Sequence, residues 1–222
     1  MPKEKVVFVW SGGKDSSLAL NRLRADPSYE VVSLLTTCNE HFQRVSMHGV
    51  RLDLIERQAD AIGLPLEKMF VSERSSNEEY LRKLTEALTA HKERGVTTFA
   101  FGDIFLEDLR RWREENLARL GLSGLFPLWK VDTRELIAEF VSLGFGAIVC
   151  CIDGARLDES FVGRTIDEAF IASLPADVDP CGENGEFHSF AFAGPIFKAP
   201  IAVSLGEKVY REGFWFCDLL AM

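Results

Sequence analysis

Apolar and polar positions in this chain fall into blocks whose period switches repeatedly between that of a buried strand and that of a helix. Val6–Trp10 (VVFVW) is a short apolar run with β-branched residues, the pattern of a strand covered on both faces. It stops at Ser11-Gly12-Gly13. From Lys14 the spacing is helical, with Leu18, Leu20 and Leu23 on or near one face and Asp15, Ser16 and Ser17 in the first turn. Asp26-Pro27-Ser28 marks a turn, and Glu30–Thr37 (EVVSLLTT) reads as a second buried strand. The same logic predicts a helix over Val50–Ile62 stopped by Gly63, an edge-like run at Glu67–Ser72, and a helix from Ser75-Ser76 to about Arg94. It then predicts a buried strand at Val96–Phe101, a charged helix over Glu107–Leu120, a helix over Asp132–Leu143 and an apolar strand at Gly146–Ile152 (GAIVCCI).

Five strands interleaved with helices predict an α/β fold, a doubly wound, parallel, five-stranded sheet with the glycine turn at its switch point and a first lobe spanning 1–153. The remaining third differs in character. A helix of about ten residues at Thr165–Leu174 leads into the rigid connector Pro175–Pro180, and Ile201–Leu220 reads as a hairpin turning at Leu205-Gly206-Glu207-Lys208. A smaller C-terminal α+β lobe over 154–222 is the expectation, with Phe214-Trp215-Phe216 either closing that lobe or forming a homodimer surface.

Composition narrows the setting. At 222 residues and 47% hydrophobic content the chain can bury a full core. No stretch approaches the ~18–20 apolar residues that cross a bilayer, and MPKEKVVFVW runs directly into a strand, so a cytoplasmic protein with no membrane association is expected. Five cysteines without a C-x-x-C pair point to neither a disulfide framework nor a zinc site. A net charge of −9 argues against a nucleic-acid partner. The basic knot Arg110, Arg111 and Arg113 is interleaved with Glu107, Asp108, Glu114 and Glu115, as on a solvated helix face.

The chemistry concentrates in two places. At Ser11–Ser17, adjacent glycines let the backbone approach a ligand, and the helix start offers unpaired N–H groups with a partial positive charge. Ser11, Ser16 and Ser17 add hydroxyls and Lys14 a full charge, whereas Asp15 would repel a bare polyphosphate unless a magnesium ion stood between them. The spacing is not that of the G-x-x-x-x-G-K-[ST] loop, so transfer of a γ-phosphate does not follow. Thr37 ends the second strand at the same sheet edge. Gly102-Asp103 ends the fourth, with Asp103 either ordering magnesium, accepting from a ribose, or capping the charged helix. The second place is Cys181–His188 (CGENGEFH), where two carboxylates, an amide, an imidazole and a thiol fall within eight positions. Glu183 and Glu186 can orient an ammonium or act as general base; Cys181 is either a nucleophile or, preferably, a small buried residue; His188 either shuttles a proton or starts a strand.

SGGKDS at Ser11–Ser16 resembles the PP-loop of the N-type ATP pyrophosphatases, which split ATP between the α- and β-phosphates. DPCGENGEFHSF, followed by Gly194-Pro195-Ile196-Phe197, resembles the C-G-E-G-G-E signature of the diphthine–ammonia ligase family, and the likeness runs in order along nearly the whole chain. That resemblance implies a nucleotide-binding first lobe of adenine nucleotide α-hydrolase type and a second lobe that takes the acceptor. It carries Ser11, Gly12, Gly13, Lys14, Asp15 and Ser16 over as nucleotide contacts, Glu183 and Glu186 as acceptor-side residues, and favours His48, in an S-M-H segment, and Asp103 as site residues. The implied reaction is attack of a carboxylate acceptor on Mg·ATP, release of pyrophosphate, and displacement of AMP by ammonia. Asn184 stands where the family has glycine, and the Leu106–Arg111 segment lacks its Tyr-Gln pair. A PP-loop enzyme transferring sulfur or nitrogen to RNA, and an adenine-nucleotide sensor without turnover, are the alternatives.

Overall fold

The computed structural model describes residues 2–46, 48–72 and 76–222. In chain order it contains β1 (Glu4–Val9), α1 (Lys14–Ala25), β2 (Tyr29–Asn39), β3 (Arg44–Val45), α2 (Leu52–Ile62), β4 (Leu66–Val71), α3 (Asn77–Glu93), β5 (Thr98–Ala100) and α4 (Glu107–Arg119). There follow β6 (Ser123–Leu125), α5 (Thr133–Ser142), β7 (Gly146–Asp153), α6 (Glu168–Ser173), β8 (Phe187–Ala193), β9 (Val203–Arg211) and β10 (Phe214–Ala221).

The first sheet runs β3-β2-β1-β5-β6, with β4 also paired to β2. β4, β2, β1, β5 and β6 are parallel; the two-residue β3 is antiparallel to the end of β2. Val6, Val7 and Phe8 are fully buried because helices cover both faces of β1. Leu88 of α3 and Leu117 of α4 pack with Val7, Phe99 and Phe101 on one face. On the other, α1, α2 and α5 share one core with the second sheet, from Leu18, Leu54 and Leu136 to Ala147, Phe190 and Leu219. The order in which strands are added reverses at β1, with β2 on one side and β5 on the other, so the glycine turn leaves the sheet at its switch point.

The second sheet, β8-β7-β10-β9, is antiparallel throughout. It contains Gly146–Asp153, the run expected as the fifth parallel strand. The fifth parallel strand is instead β6, three residues around Gly124, too short and too polar to register as an apolar run. A strand buried on both faces reads alike whether its neighbours are parallel or antiparallel, and β7 is such a strand, so its hydrophobicity does not choose its sheet. The chain therefore changes sheet between β6 and β7, ahead of residue 153.

Two local expectations shift for identifiable reasons. The C-terminal hairpin turns at Glu212-Gly213, both at positive φ (49° and 92°), and Leu205–Lys208 lies inside β9. The helix after Thr165 shortens to α6 because the Asp167 side chain accepts from Phe170 N–H at 2.7 Å and starts it late. Ser76 caps α3 by accepting from Glu79 N–H, while Ser75, also expected at that start, lies outside the described residues, as does Met47. Among the described residues no helix is long and apolar enough to cross a membrane. All five cysteines are free and buried.

Candidate functional site at the glycine turn

Gly12 stands at φ +80°, and a Cβ there would lie 2.5 Å from Ile55 Cδ1 and 2.8 Å from Gln58 Oε1, so only glycine fits. Its carbonyl accepts from Gln58 Nε2 (2.9 Å) and from Ala191 N–H on β8 (2.9 Å), which fastens the turn to α2 and to the second sheet at once. Gly12→Ala is expected to destabilise the protein by about 2 kcal/mol or more, read as a lowered urea midpoint, since it adds left-handed strain to a clash with α2.

Beyond Gly12 the turn opens onto α1. Gly13 N–H donates to Ser11 Oγ (3.3 Å), Ser11 Oγ and Ser16 Oγ share a hydrogen bond of 2.8 Å, and Ser17 Oγ donates to Gly13 O (2.9 Å). Ser17 is fully buried, so it braces the turn from inside, while Ser11 and Ser16 border its mouth. No side chain caps α1 through Gly13, and Lys14 N–H is taken by Ser189 Oγ at 3.1 Å. Gly102 approaches the same helix start, with a Cβ there 3.0 Å from Ser16 N.

Lys14 is the hub. Its ammonium bonds Asp15 Oδ2 at 2.8 Å, donates to Cys181 O and sits 5.1 Å from the centre of the Phe187 ring, although the side chain is only 3% exposed. Burial works against its charge, but Asp15, Cys181 and Glu183 outweigh it and hold Lys14 above its ordinary value, so it is an ammonium. Asp15, 29% exposed, keeps an edge toward solvent. A magnesium ion is commonly held by one or two carboxylates plus substrate phosphate oxygens, and Asp15 beside Ser11 and Ser16 fits that donor set. Among the described residues no three His, Cys, Asp or Glu side chains form a metal cage of their own.

The Cys181–His188 loop meets this turn, and its two glutamates divide. Glu183 Oε1 accepts from Ile104 N–H (2.7 Å) and Phe105 N–H (3.4 Å) just past Gly102-Asp103. Burial, with Asp15 and Asp103 adding to it, pushes its carboxyl up to about 7, against the pull of the Ile104 N–H. Glu186, 2% exposed, is spent within its own loop, accepting from Asp179 N–H (3.1 Å), Asn184 N–H (3.0 Å) and Asn184 Nδ2 (3.1 Å). Glu186→Gln turns one acceptor into a donor facing donors. It is expected to cost about 2–3 kcal/mol of stability, measured by urea unfolding. Cys181 is a packed thiol: Sγ donates to Thr133 O (3.3 Å) and burial raises it far above its ordinary value. His188 lies on β8 with its ring 4.7 Å from that of His48.

The other expected residues are spread more widely. Thr37 lines a cavity of about 20 Å³ with Val9, Phe101, Trp112 and Arg113, room for a water but not for a base. Asp103 is gripped by Arg113 (Nε to Oδ2 2.6 Å, Nη2 to Oδ1 3.2 Å) and does not cap α4, whose N-cap is Leu106. Sequence reasoning missed Gln58, which is fully buried, accepts from Trp10 Nε1 (2.8 Å) and donates to Gly12 O and Ala191 O. Its signal was present: Gln58 shares the apolar face of α2 with Leu54, Ile55 and Ile62, where a lone amide must be bonded. Ser189 left no such trace, and Arg113, expected with the basic knot on a solvated helix face, turns instead to Asp103.

A glycine turn clamped at the carboxyl edge of a parallel sheet, opening onto a helix start with a charged lysine, defines an α/β protein of the PP-loop class. The chain belongs to the diphthamide synthase family: the model of that family's N-terminal domain matches residues 4–124 and that of its C-terminal domain residues 132–220. It is 27% identical over 238 residues to the diphthine–ammonia ligase of Schizosaccharomyces pombe, a match covering 97% of this chain but 38% of that protein. With the diphthine–ammonia ligases of Rattus norvegicus and Homo sapiens it shares 28% identity, over 97% of this chain and 88% of each of theirs. Among solved structures, the U34-tRNA thiolase NcsA of Methanococcus maripaludis overlaps it with a TM-score of 0.38 and 17% identity, over 65% of this chain and 59% of that one.

Proposed function

We propose that the chain is an ATP-dependent amide-forming ligase that adenylates a carboxylate and passes the acyl group to ammonia. The observation that carries this reading is the direct tie between the two constellations: Lys14 of the glycine turn donates to Cys181 O, and Glu183 two residues on accepts from the backbone after Gly102-Asp103. A nucleotide seated on the turn would have its α-phosphate beside the loop of the second lobe. That lobe, expected over 154–222, is the acceptor side in this reading.

In the first step an acceptor carboxylate oxygen attacks the α-phosphorus, the bond from that phosphorus to the α,β-bridging oxygen breaks, and pyrophosphate leaves with the electron pair. The negative charge growing on the leaving group meets Lys14, the α1 N-terminus and the Ser11 and Ser16 hydroxyls. Magnesium held by Asp15 would add Lewis-acid stabilisation there. In the second step ammonia attacks the acyl carbon, AMP leaves, and Glu183 takes the proton that the nitrogen must lose. Gly12, Gly13, Gly102 and Ser17 shape the turn; His48 and Asp103 border the nucleotide. The names of the relatives make diphthine the first acceptor to try.

Incubating the protein with Mg·ATP, labelled ammonia and a diphthine-bearing acceptor, with mass spectrometry of the products, tests the reading. AMP, pyrophosphate and a labelled amide in equal amounts are expected. ADP as the nucleotide product would overturn it.

A further inference from the structure

His48 and His188 come from different lobes and meet against the glycine turn. His48 follows β3, with Nδ1 3.2 Å from Ser189 O and Cε1 3.1 Å from the place a Cβ on Gly13 would take. His188 is on β8, and the two ring planes meet at 41° with centroids 4.7 Å apart. The charged group that acts on both rings is the Lys14 ammonium from α1; on β7, Cys150 Sγ donates to the His188 backbone carbonyl and Cys151 stands across the ladder from His188. Behind Gly49 the Asp218 carboxylate is shared by the Arg44 and Arg51 guanidiniums, which leaves one net positive charge there. Both thiols are pushed up by burial and carry no charge. Among the described residues neither ring has a carboxylate partner. Burial, with a smaller push from Lys14, lowers His48 to about 4, and burial, the neighbouring His48 ring and Lys14 together lower His188 to about 3.

Two neutral imidazoles beside a cation and a helix N-terminus are poised for an anion to change their state. A single negative charge about 5 Å away in a partly buried site raises an imidazole pKa by roughly two, and a polyphosphate brings more than one charge. We infer that the His48–His188 pair takes up one proton when the triphosphate of ATP settles on the glycine turn, so that the pair becomes a cation only while the nucleotide is bound. This rests on the reading of the turn as the seat of ATP. The proton comes from solvent, resides on one ring because two adjacent imidazoliums repel, and returns to solvent after pyrophosphate departs.

Calorimetric titration with Mg²⁺ and α,β-methylene-ATP, which cannot be cleaved at the α,β position, tests the inference at pH 6.5 in buffers of low and high ionisation enthalpy. After subtraction of the ligand's own ionisation, the buffer-dependent heat should report uptake of roughly half to one proton per ligand, fading by about pH 8.5. In His48→Gln and His188→Gln the uptake should fall by about half or more. Buffer-independent heats in the wild type, or uptake unchanged in both variants, would overturn the proton linkage while leaving the nucleotide site intact. An analogue that fails to bind would overturn the ATP reading itself. Should the variants not fold, imidazole ¹⁵N shifts of the wild type decide: a ring that stays neutral at pH 6 with the analogue bound refutes the inference.

Discussion

Lys14→Met is expected to lower ATP–pyrophosphate exchange by about a thousandfold while leaving the fold intact, and Asp15→Ala to abolish the same exchange. The size follows from where Lys14 stands. It is the one full positive charge at the start of α1, and in the free protein it is shared between Asp15 and Cys181 O, so a phosphate oxygen need only replace one of these partners. The methionine keeps the stem that packs near Phe187, and Asp15, whose carboxyl burial already pushes up against the pull of Lys14, takes up a proton more readily once its cation is gone. Stability should therefore move by no more than about 1–2 kcal/mol, so that lost exchange in a folded variant separates chemistry from folding. Exchange at the wild-type rate in either variant would remove the glycine turn from the reaction.

What the sequence made legible follows from how local each signal is. The strand, the glycine turn and the helix from Val6 to Leu20 lie within one stretch, and their geometry is fixed by neighbours a few residues apart, so the order of these elements was readable directly. Partner choice is not local. β7 looks like any strand buried on both faces, and only its ladders to β8 and β10 place it in the second sheet; β6 is too short to read at all. The same holds within the site. Glu183 and Glu186 are three residues apart in a polar loop and look equivalent, yet one reaches across to Ile104 N–H while the other folds back on Asn184 and Asp179. Asp103 is claimed by Arg113 from the next helix, ten residues away, where the sequence left a magnesium role, a ribose contact and a helix cap open.

The interlobe ties explain why so many polar groups around α1 are buried. α1 lies between the first sheet and β8, which is why Lys14, Ser16 and Ser17 are buried at its start. The second sheet is anchored to α2 and the strands beside it by ion pairs from Arg44 and Arg51 to Asp218 and by Arg24 Nη2 donating to Ile62 O in the first lobe while Nη1 reaches Ile196 O in the second. The turn is thus held between two lobes that share one core, and in the proposed reaction the distance between nucleotide and acceptor would be set by packing rather than by a hinge.

Glu183→Gln is expected to lower amide formation about a hundredfold while leaving ATP–pyrophosphate exchange near wild type, because in the proposed reaction the side chain acts after adenylation. Its carboxyl, pushed up to about 7, is half ionised at neutral pH, and only the ionised form can take a proton from the incoming nitrogen. Amide formation by the wild type should therefore rise with pH through about 7, and that limb should vanish in the glutamine variant. Stability should move the other way. A carboxyl whose folded value is raised favours the fold when protonated and loses that contribution as pH climbs from its unfolded value near 4.3 through the folded value. At pH 8 the wild type carries a partly buried charge that the amide lacks, and a glutamine oxygen can still accept from Ile104 N–H. Glu183→Gln should then be more stable than the wild type at pH 8 by about 2 kcal/mol, with the advantage gone by about pH 4. A variant that unfolds more readily at pH 8, or forms the amide with an unchanged pH profile, would show that Glu183 only staples its loop to the sheet edge.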